Sequence, residues 1–220
     1  MSEFINELRE RVREVIRVLK LEYPDARCTL DFATPHQLLV AAILAAQCTD
    51  EKVNQITPAL FRKYPSPEAF ASADVVELQE MVKPTGFFRM KAKAIQESSQ
   101  DIVSKFGGQV PDMIDDLLTL RGVGRKTANL IVGVAYGQPA VIVDTHVKRV
   151  AYRLGLTKQN DPDKIEMELR EIIPVEDSTH FNHLIVSHGR AICKAPKPSC
   201  SACVLLELCQ YGRKELGMGG

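Results

Sequence analysis

The chain has 220 residues, 45% of them hydrophobic, and 28 basic residues balance 28 acidic ones. That is enough apolar material for one medium core or two small ones, and the zero net charge gives no bulk sign of a polyanionic partner. No apolar stretch approaches the ~20 residues of a membrane helix, and the start MSEFINELRERVREVIRVLK lacks the apolar core of a signal peptide, so a soluble intracellular protein is expected.

In chain order the patterns are helical. Phe4, Leu8, Val12, Val15, Ile16 and Leu19 form one apolar stripe, with charged residues on the opposite face. Thr34-Pro35 is a helix start, and the strongly apolar HQLLVAAILAAQ that follows reads as a buried core helix. Ser66-Pro67 repeats the signal before EAFASA, and Asp74 can cap VVELQEMV. Arg89 to Phe106 reads as a longer helix stopped by Gly107-Gly108. Pro111-Asp112 is expected to open a short helix, DMIDDLLTL, and a glycine-bounded turn leads into RKTANLIVGVAYG. The β-branched run AVIV at 140–143 has no evident strand partner and reads as an extended connector. Asp144 or Thr145 caps a helix through Leu154, and Asp161-Pro162 caps the one containing KIEMELREII. The expected fold class is all-α.

Three local features carry chemistry. The turn Leu120-Arg121-Gly122-Val123-Gly124 asks for glycine at two positions and leaves the amides of Gly122, Val123, Gly124 and Arg125 at the start of the next helix. Amides there, with the positive helix end, suit a phosphate, although a plain interhelical turn explains a lone G-x-G equally well. Charge adds to the case: from Leu117 to Arg153 six bases face the single acid Asp144, whereas from Asp161 to Asp177 seven acids face Lys164 and Arg170. The third feature is Cys193-x6-Cys200-x2-Cys203-x5-Cys209, four of the six cysteines. In a chain without an export signal such crowding indicates metal ligation before disulfides, and four soft sulfurs suit either zinc or an iron–sulfur cluster. No acid occurs between Asp177 and Glu207, so Arg190, Lys194 and Lys197 form a second positive stretch. His180, His183 and His188 read as helix-surface or core residues.

The string LRGVGRKTAN resembles the helix-hairpin-helix motif of DNA glycosylases, and Lys126 occupies the position of the catalytic lysine in the endonuclease III family. VDTHVKR carries the family's aspartate at Asp144, AQCTD resembles a family loop with a glutamine at Gln47, and TGFFRMKAKAI resembles a helix entry whose first bulky residue is Phe87. The four cysteines match the family's cluster loop, and matching segments run in order from about Thr34 to Cys209. Arg121 departs from the pattern, standing where proline is common.

The resemblance implies a two-lobed helix-hairpin-helix glycosylase fold with a C-terminal iron–sulfur loop. One lobe is expected at 26–138, carrying the hairpin, and a second at 1–25 plus 139–220, carrying one structural [4Fe–4S] cluster on Cys193, Cys200, Cys203 and Cys209. It further implies a monomeric base-excision enzyme acting on damaged double-stranded DNA, in the cytoplasm at the nucleoid if bacterial, and removing oxidised pyrimidines of the thymine-glycol type. Lys126 is the implied nucleophile, forming a Schiff base before β-elimination 3′ of the abasic site, and Asp144 the acid–base or electrostatic partner. Gln47 is the implied filler of the gap left by an extruded base and Phe87 the wedge, although Phe87-Phe88 alone reads as two core contacts. Gly122, Val123, Gly124, Arg125, Lys148, Arg149, Arg190, Lys194 and Lys197 complete the expected DNA contacts. Two alternatives compete. An adenine-mismatch glycosylase of the same superfamily lacks the lysine at 126, has a glutamate at the position aligned with Ala42 and continues into an extra domain. A non-catalytic DNA-binding module leaves the Lys126–Asp144 combination unexplained.

Overall fold

Side-chain oxygens start half of the twelve α-helices among the described residues. Thr34 accepts the amide of Gln37, Ser66 that of Ala69, Asp74 those of Val76 and Glu77, and Asp161 those of Asp163 and Lys164. In the computed structural model, which describes residues 2–218, every regular element among those residues is a helix or helical turn. The all-α expectation therefore holds. The helices are α1 (Ser2–Glu22), α2 (Pro35–Leu44), α3 (Asp50–Lys63), α4 (Pro67–Ala71), α5 (Val75–Val82), α6 (Phe88–Phe106), α7 (Ile114–Leu118), α8 (Arg125–Leu130), α9 (Thr145–Leu154), α10 (Pro162–Ile172), α11 (Ser178–Ala191) and α12 (Gln210–Glu215). Among the described residues no helix is long and apolar enough to cross a membrane.

The chain divides into two units, residues 28–138 and residues 1–27 with 139–220. In the first, α2 is buried on nearly all sides through Leu38, Leu39, Val40, Ile43 and Leu44. The surrounding helices contribute Leu60, Phe70, Leu78, Ile95, Ile102, Leu117 and Ile131, each of them fully buried. Burial of each such side chain stabilises the fold by about 1.5–3 kcal/mol. Helix α2 stops at Leu44, three residues short of Gln47, because the chain turns there and Gln47 takes a left-handed conformation at φ 54°. Helix α3 is an addition to the helices read from the sequence; Thr49 caps it on the amide of Lys52, and Asp50 and Glu51 sit at its positive end. Helix α7 begins at Ile114 rather than Pro111. The preceding segment is non-helical, with Val110 O accepting from the Tyr136 hydroxyl and Asp112 from Gln138 Nε2. After α8 the helix widens into a π turn over Ile131–Ala135.

In the second unit α1 buries Val12, Val15, Ile16 and Leu19 against Val147, Val150, Leu154, Ile165, Leu169, Phe181 and Leu184. Phe4, expected on the same stripe, is 61% exposed, since it precedes the part of α1 that packs. Arg11 Nη2 donates to Gly155 O at 2.7 Å and Arg9 Nε to Glu171 O at 3.0 Å, tying α1 to the C-terminal helices. Residues 140–143 are extended and buried without forming a strand, as the connector reading anticipated.

Candidate active site

The hairpin between α7 and α8 needs one glycine, not two. Gly122 has φ 79°, and a Cβ there would meet Ala94 Cβ at 2.8 Å, so only glycine lets the turn lie against α6. Gly124 has φ −99° and ψ 176°, extended backbone open to any residue, and a Cβ there would meet nothing within 4 Å. The Val123 side chain is buried and its amide already donates to Leu120 O at 3.2 Å, which removes it from the expected set of bare donors. Among the described residues no backbone acceptor reaches the amides of Gly122 or Gly124. Arg121 is drawn away from the turn: its Nε lies 2.9 Å from Glu97 Oε2 on α6. Lys126, the second residue of α8, is exposed. It is close enough to Cys28 to oppose, with its positive charge, the burial that pushes that thiol up.

Asp144 is the N-cap of α9. Its Oδ1 accepts the amides of His146 at 2.9 Å and Val147 at 2.8 Å, while Oδ2 lies 3.3 Å from His146 Nδ1. Its carboxylate is thus oriented by three donors and remains partly exposed, at 16% of its side-chain surface. The connector before it is fixed by Asn182 Nδ2 on Ile142 O at 3.0 Å and Thr179 Oγ1 on Ala140 O at 3.3 Å, both from α11. His183, also on α11, is held neutral: burial lowers its pKa to about 4, His180 adds to this and Asp144 opposes it. His146 was not singled out in the sequence, and only its position two residues past a capping aspartate could have marked it.

Gln47 and Phe87 are both exposed and are the two non-glycine residues with positive φ among those described, at 54° and 47°. The core reading of Phe87 is overturned, since 57% of its surface is exposed. It sits one residue before α6, where the left-handed turn swings its ring off the helix.

The four cysteines Cys193, Cys200, Cys203 and Cys209 line one pocket, together with Val150, His188, Leu205 and Tyr211. Among the described residues no three His, Cys, Asp or Glu side chains converge on a point where a single metal ion would sit. Donors face the sulfurs: Arg153 Nη1 reaches Cys193 Sγ at 3.3 Å and the amide of Gly212 reaches Cys209 Sγ at 3.3 Å. Burial pushes the Cys203 thiol up to about 11, and its sulfur lies 3.6 Å from His188 Nε2. Arg149, expected on DNA, is turned inward, with Nε on Cys193 O at 3.1 Å and Nη2 on Gly189 O at 3.2 Å. Gly189 permits this: a Cβ there would meet His146 at 2.9 Å and the Arg149 guanidinium at 3.1 Å. Arg190, Lys194 and Lys197 are exposed and Lys148 half-buried.

Residues 40–175 match the model of the HhH-GPD superfamily base excision DNA repair proteins. A curated endonuclease III of Synechocystis sp. is 52% identical over 91% of this chain and 92% of that protein. The chain belongs to the endonuclease III family. The endonuclease III of Bacillus subtilis is 46% identical over 87% of the chain and 88% of its own length. Among solved structures, a trapped endonuclease III–DNA covalent intermediate superposes with a TM-score of 0.89, at 41% identity, covering 94% of this chain and 98% of that one. The hairpin with Lys126 and the connector with Asp144 both lie inside the segment matched to the superfamily, while the four cysteines lie beyond it.

Proposed function

We propose that this chain, a DNA glycosylase and abasic-site lyase of the endonuclease III family, excises oxidised pyrimidines from duplex DNA with Lys126 as nucleophile. The observation that carries this reading is the exposed Lys126 amine on a hairpin whose Gly122 and Gly124 amides meet no backbone acceptor. A phosphate accepts those amides, and the open space at Gly124 lets it approach the backbone closely. With the strand held there, the Lys126 nitrogen adds through its lone pair to C1′ of the damaged nucleotide. The N-glycosidic bond breaks, and the base leaves with the bonding electrons and takes up the proton lost by the amine; the nitrogen lone pair then forms the C=N bond as the C1′–O4′ bond opens and O4′ takes a proton, which gives a protonated Schiff base. Removal of a proton from C2′ then expels the 3′ phosphate with its bonding electrons, which cleaves the strand. The carboxylate of Asp144, oriented by its cap and by His146, stabilises positive charge on the sugar and accepts protons from these steps.

Gln47 and Phe87 serve base extrusion. Unstacking a nucleotide costs a few kcal/mol, and side chains that replace it recover part of that cost. Both are exposed, and both sit on strained left-handed backbone, a feature concentrated at working sites. Lys148, Arg190, Lys194 and Lys197 add sequence-independent attraction to the DNA backbone. In a bacterial cell the enzyme works at the nucleoid.

Cys193, Cys200, Cys203 and Cys209 hold a [4Fe–4S] cluster. The residues fit such a group: four cysteines line one pocket, and Arg153 and the Gly212 amide supply donors that suit thiolates. Bound there, the cluster supplies structural cross-linking of the C-terminal loop, and Arg149 and Arg153 fix the carbonyls of that loop from α9.

Base release and strand cleavage are measured on duplexes carrying one thymine glycol or one adenine mispair. Excision and a β-elimination product on the thymine glycol duplex are expected. Activity confined to the adenine mispair would favour the mismatch-glycosylase reading, and binding without release a non-catalytic module.

A further inference from the structure

Lys91 is a lysine that the fold buries. Only 5% of its surface is exposed, on the first turn of α6. Its ammonium donates to Leu44 O at 2.8 Å and to Thr85 O at 2.7 Å. Burial lowers its pKa, opposed by the nearby Cys48 thiol. An ammonium placed this deeply is costly unless its protons are satisfied, and here two backbone carbonyls satisfy it.

The two carbonyls have particular neighbours. Leu44 is the last residue of α2, whose terminal C=O groups lack helical partners and favour a cation. Three residues later comes Gln47. Thr85, itself buried and bonded through its hydroxyl to Val82 O, precedes Phe87 by two residues. One side chain therefore clips the segment leading into Gln47 to the segment leading into Phe87. Left-handed non-glycine residues cost about 1–3 kcal/mol each and persist only where their surroundings over-determine them. A buried two-carbonyl clip does this for both segments at once.

We propose that Lys91 is a positioning residue for base extrusion, fixing the spacing at which Gln47 and Phe87 meet the duplex. The proposal rests on the roles given above to those two side chains. Lys91 touches neither substrate nor reacting atoms, and its effect is confined to reactions that need an opened stack. A single-stranded abasic oligonucleotide has no opposite base or stack to replace, so borohydride trapping on it serves as the internal reference.

The experiment compares wild type, Lys91→Met and Lys91→Arg by two readings. One is the fluorescence rise of 2-aminopurine placed opposite a thymine glycol. The other is the ratio of borohydride trapping on the thymine glycol duplex to trapping on the single-stranded abasic strand. Lys91→Met is expected to abolish the rise and lower the ratio at least tenfold. Lys91→Arg, which keeps charge and donors, is expected to recover at least half of both. In a Gln47→Ala/Phe87→Ala background, adding Lys91→Met is expected to change the ratio less than twofold. An intact rise in Lys91→Met, or a further tenfold loss in that background, overturns the proposal. If Gln47→Ala and Phe87→Ala themselves leave the rise intact, the base-extrusion reading fails first and takes Lys91 with it. If they lose it while Lys91→Met keeps it, only the assignment of Lys91 falls. Should Lys91→Met not fold, Lys91→Gln carries the same comparison, with an intermediate ratio expected because one donor group remains.

Discussion

Gln47 and Phe87 occupy backbone conformations that few non-glycine residues adopt, at φ 54° and 47°. Nothing in the packing of Phe87 repays this, since 57% of the residue is exposed. Replacing a buried phenylalanine by a small residue costs about 3–5 kcal/mol. For Phe87→Gly the expectation is different. Relief of the left-handed strain, about 1–2 kcal/mol, offsets the extra chain entropy of glycine, about 0.5–1 kcal/mol. Urea unfolding should therefore place Phe87→Gly within about 1 kcal/mol of wild type, while excision from duplex DNA falls at least tenfold. A loss of 3 kcal/mol or more would return Phe87 to a packing role. At this scale the sequence was an incomplete guide. The order Gly-Phe-Phe does not reveal which ring faces inward, because that depends on the φ of one residue. Lys91 gave no signal either, since a lysine on a charged helix reads as solvated until its burial is seen.

Among the elements, the hairpin between α7 and α8 separates folding from binding in two neighbouring glycines. A methyl group at Gly122 meets Ala94 at 2.8 Å on a backbone with φ 79°. Gly122→Ala is thus expected to cost about 2 kcal/mol or more, from strain and overpacking together. Gly124→Ala meets nothing within 4 Å among the described residues. It should leave the melting temperature nearly unchanged and weaken duplex binding severalfold, by standing where a phosphate approaches. Calorimetry and a binding titration on both variants check this; equal destabilisation by the two would make Gly124 a folding residue only. The helices whose caps stand beside proline or an aspartate were legible: α2, α4, α5 and α10 begin where Thr34, Ser66, Asp74 and Asp161 place them. Helix α3 was not, since Pro58 interrupts its pattern and Thr49 lies inside a string that reads as a loop. The late start of α7 depends on the Tyr136 hydroxyl reaching Val110 O, a contact between residues far apart in sequence.

Across the whole molecule, the buried His36 of the first unit and the half-buried His183 of the second couple stability to acid. His36 on α2 bonds Ser99 at 2.9 Å, and burial lowers its pKa from 6.5 to about 4; His183 on α11 is lowered to about 4 in the same way. Because the folded values lie below the unfolded ones, the unfolded chain takes up protons first as pH falls. The stabilisation is complete above pH 6.5 and is lost progressively towards pH 4, by about 3 kcal/mol for His36 alone. Unfolding free energies measured between pH 7 and pH 4.5 should show this fall, and His36→Asn should flatten it. A profile in His36→Asn as steep as wild type would place the acid sensitivity elsewhere. Zero net charge at this scale concealed what the local balance of charges revealed, a basic stretch through the hairpin and another through the cysteine loop.

The proposed mechanism requires a covalent bond between the Lys126 amine and the sugar of a damaged nucleotide. Borohydride added to the protein on a duplex bearing one thymine glycol reduces any Schiff base to a stable cross-link. Wild type is expected to give a shifted protein–DNA species, and Lys126→Gln is expected to give none while still binding the duplex. A cross-link of equal yield in Lys126→Gln, or none in wild type during measurable base release, would contradict the account.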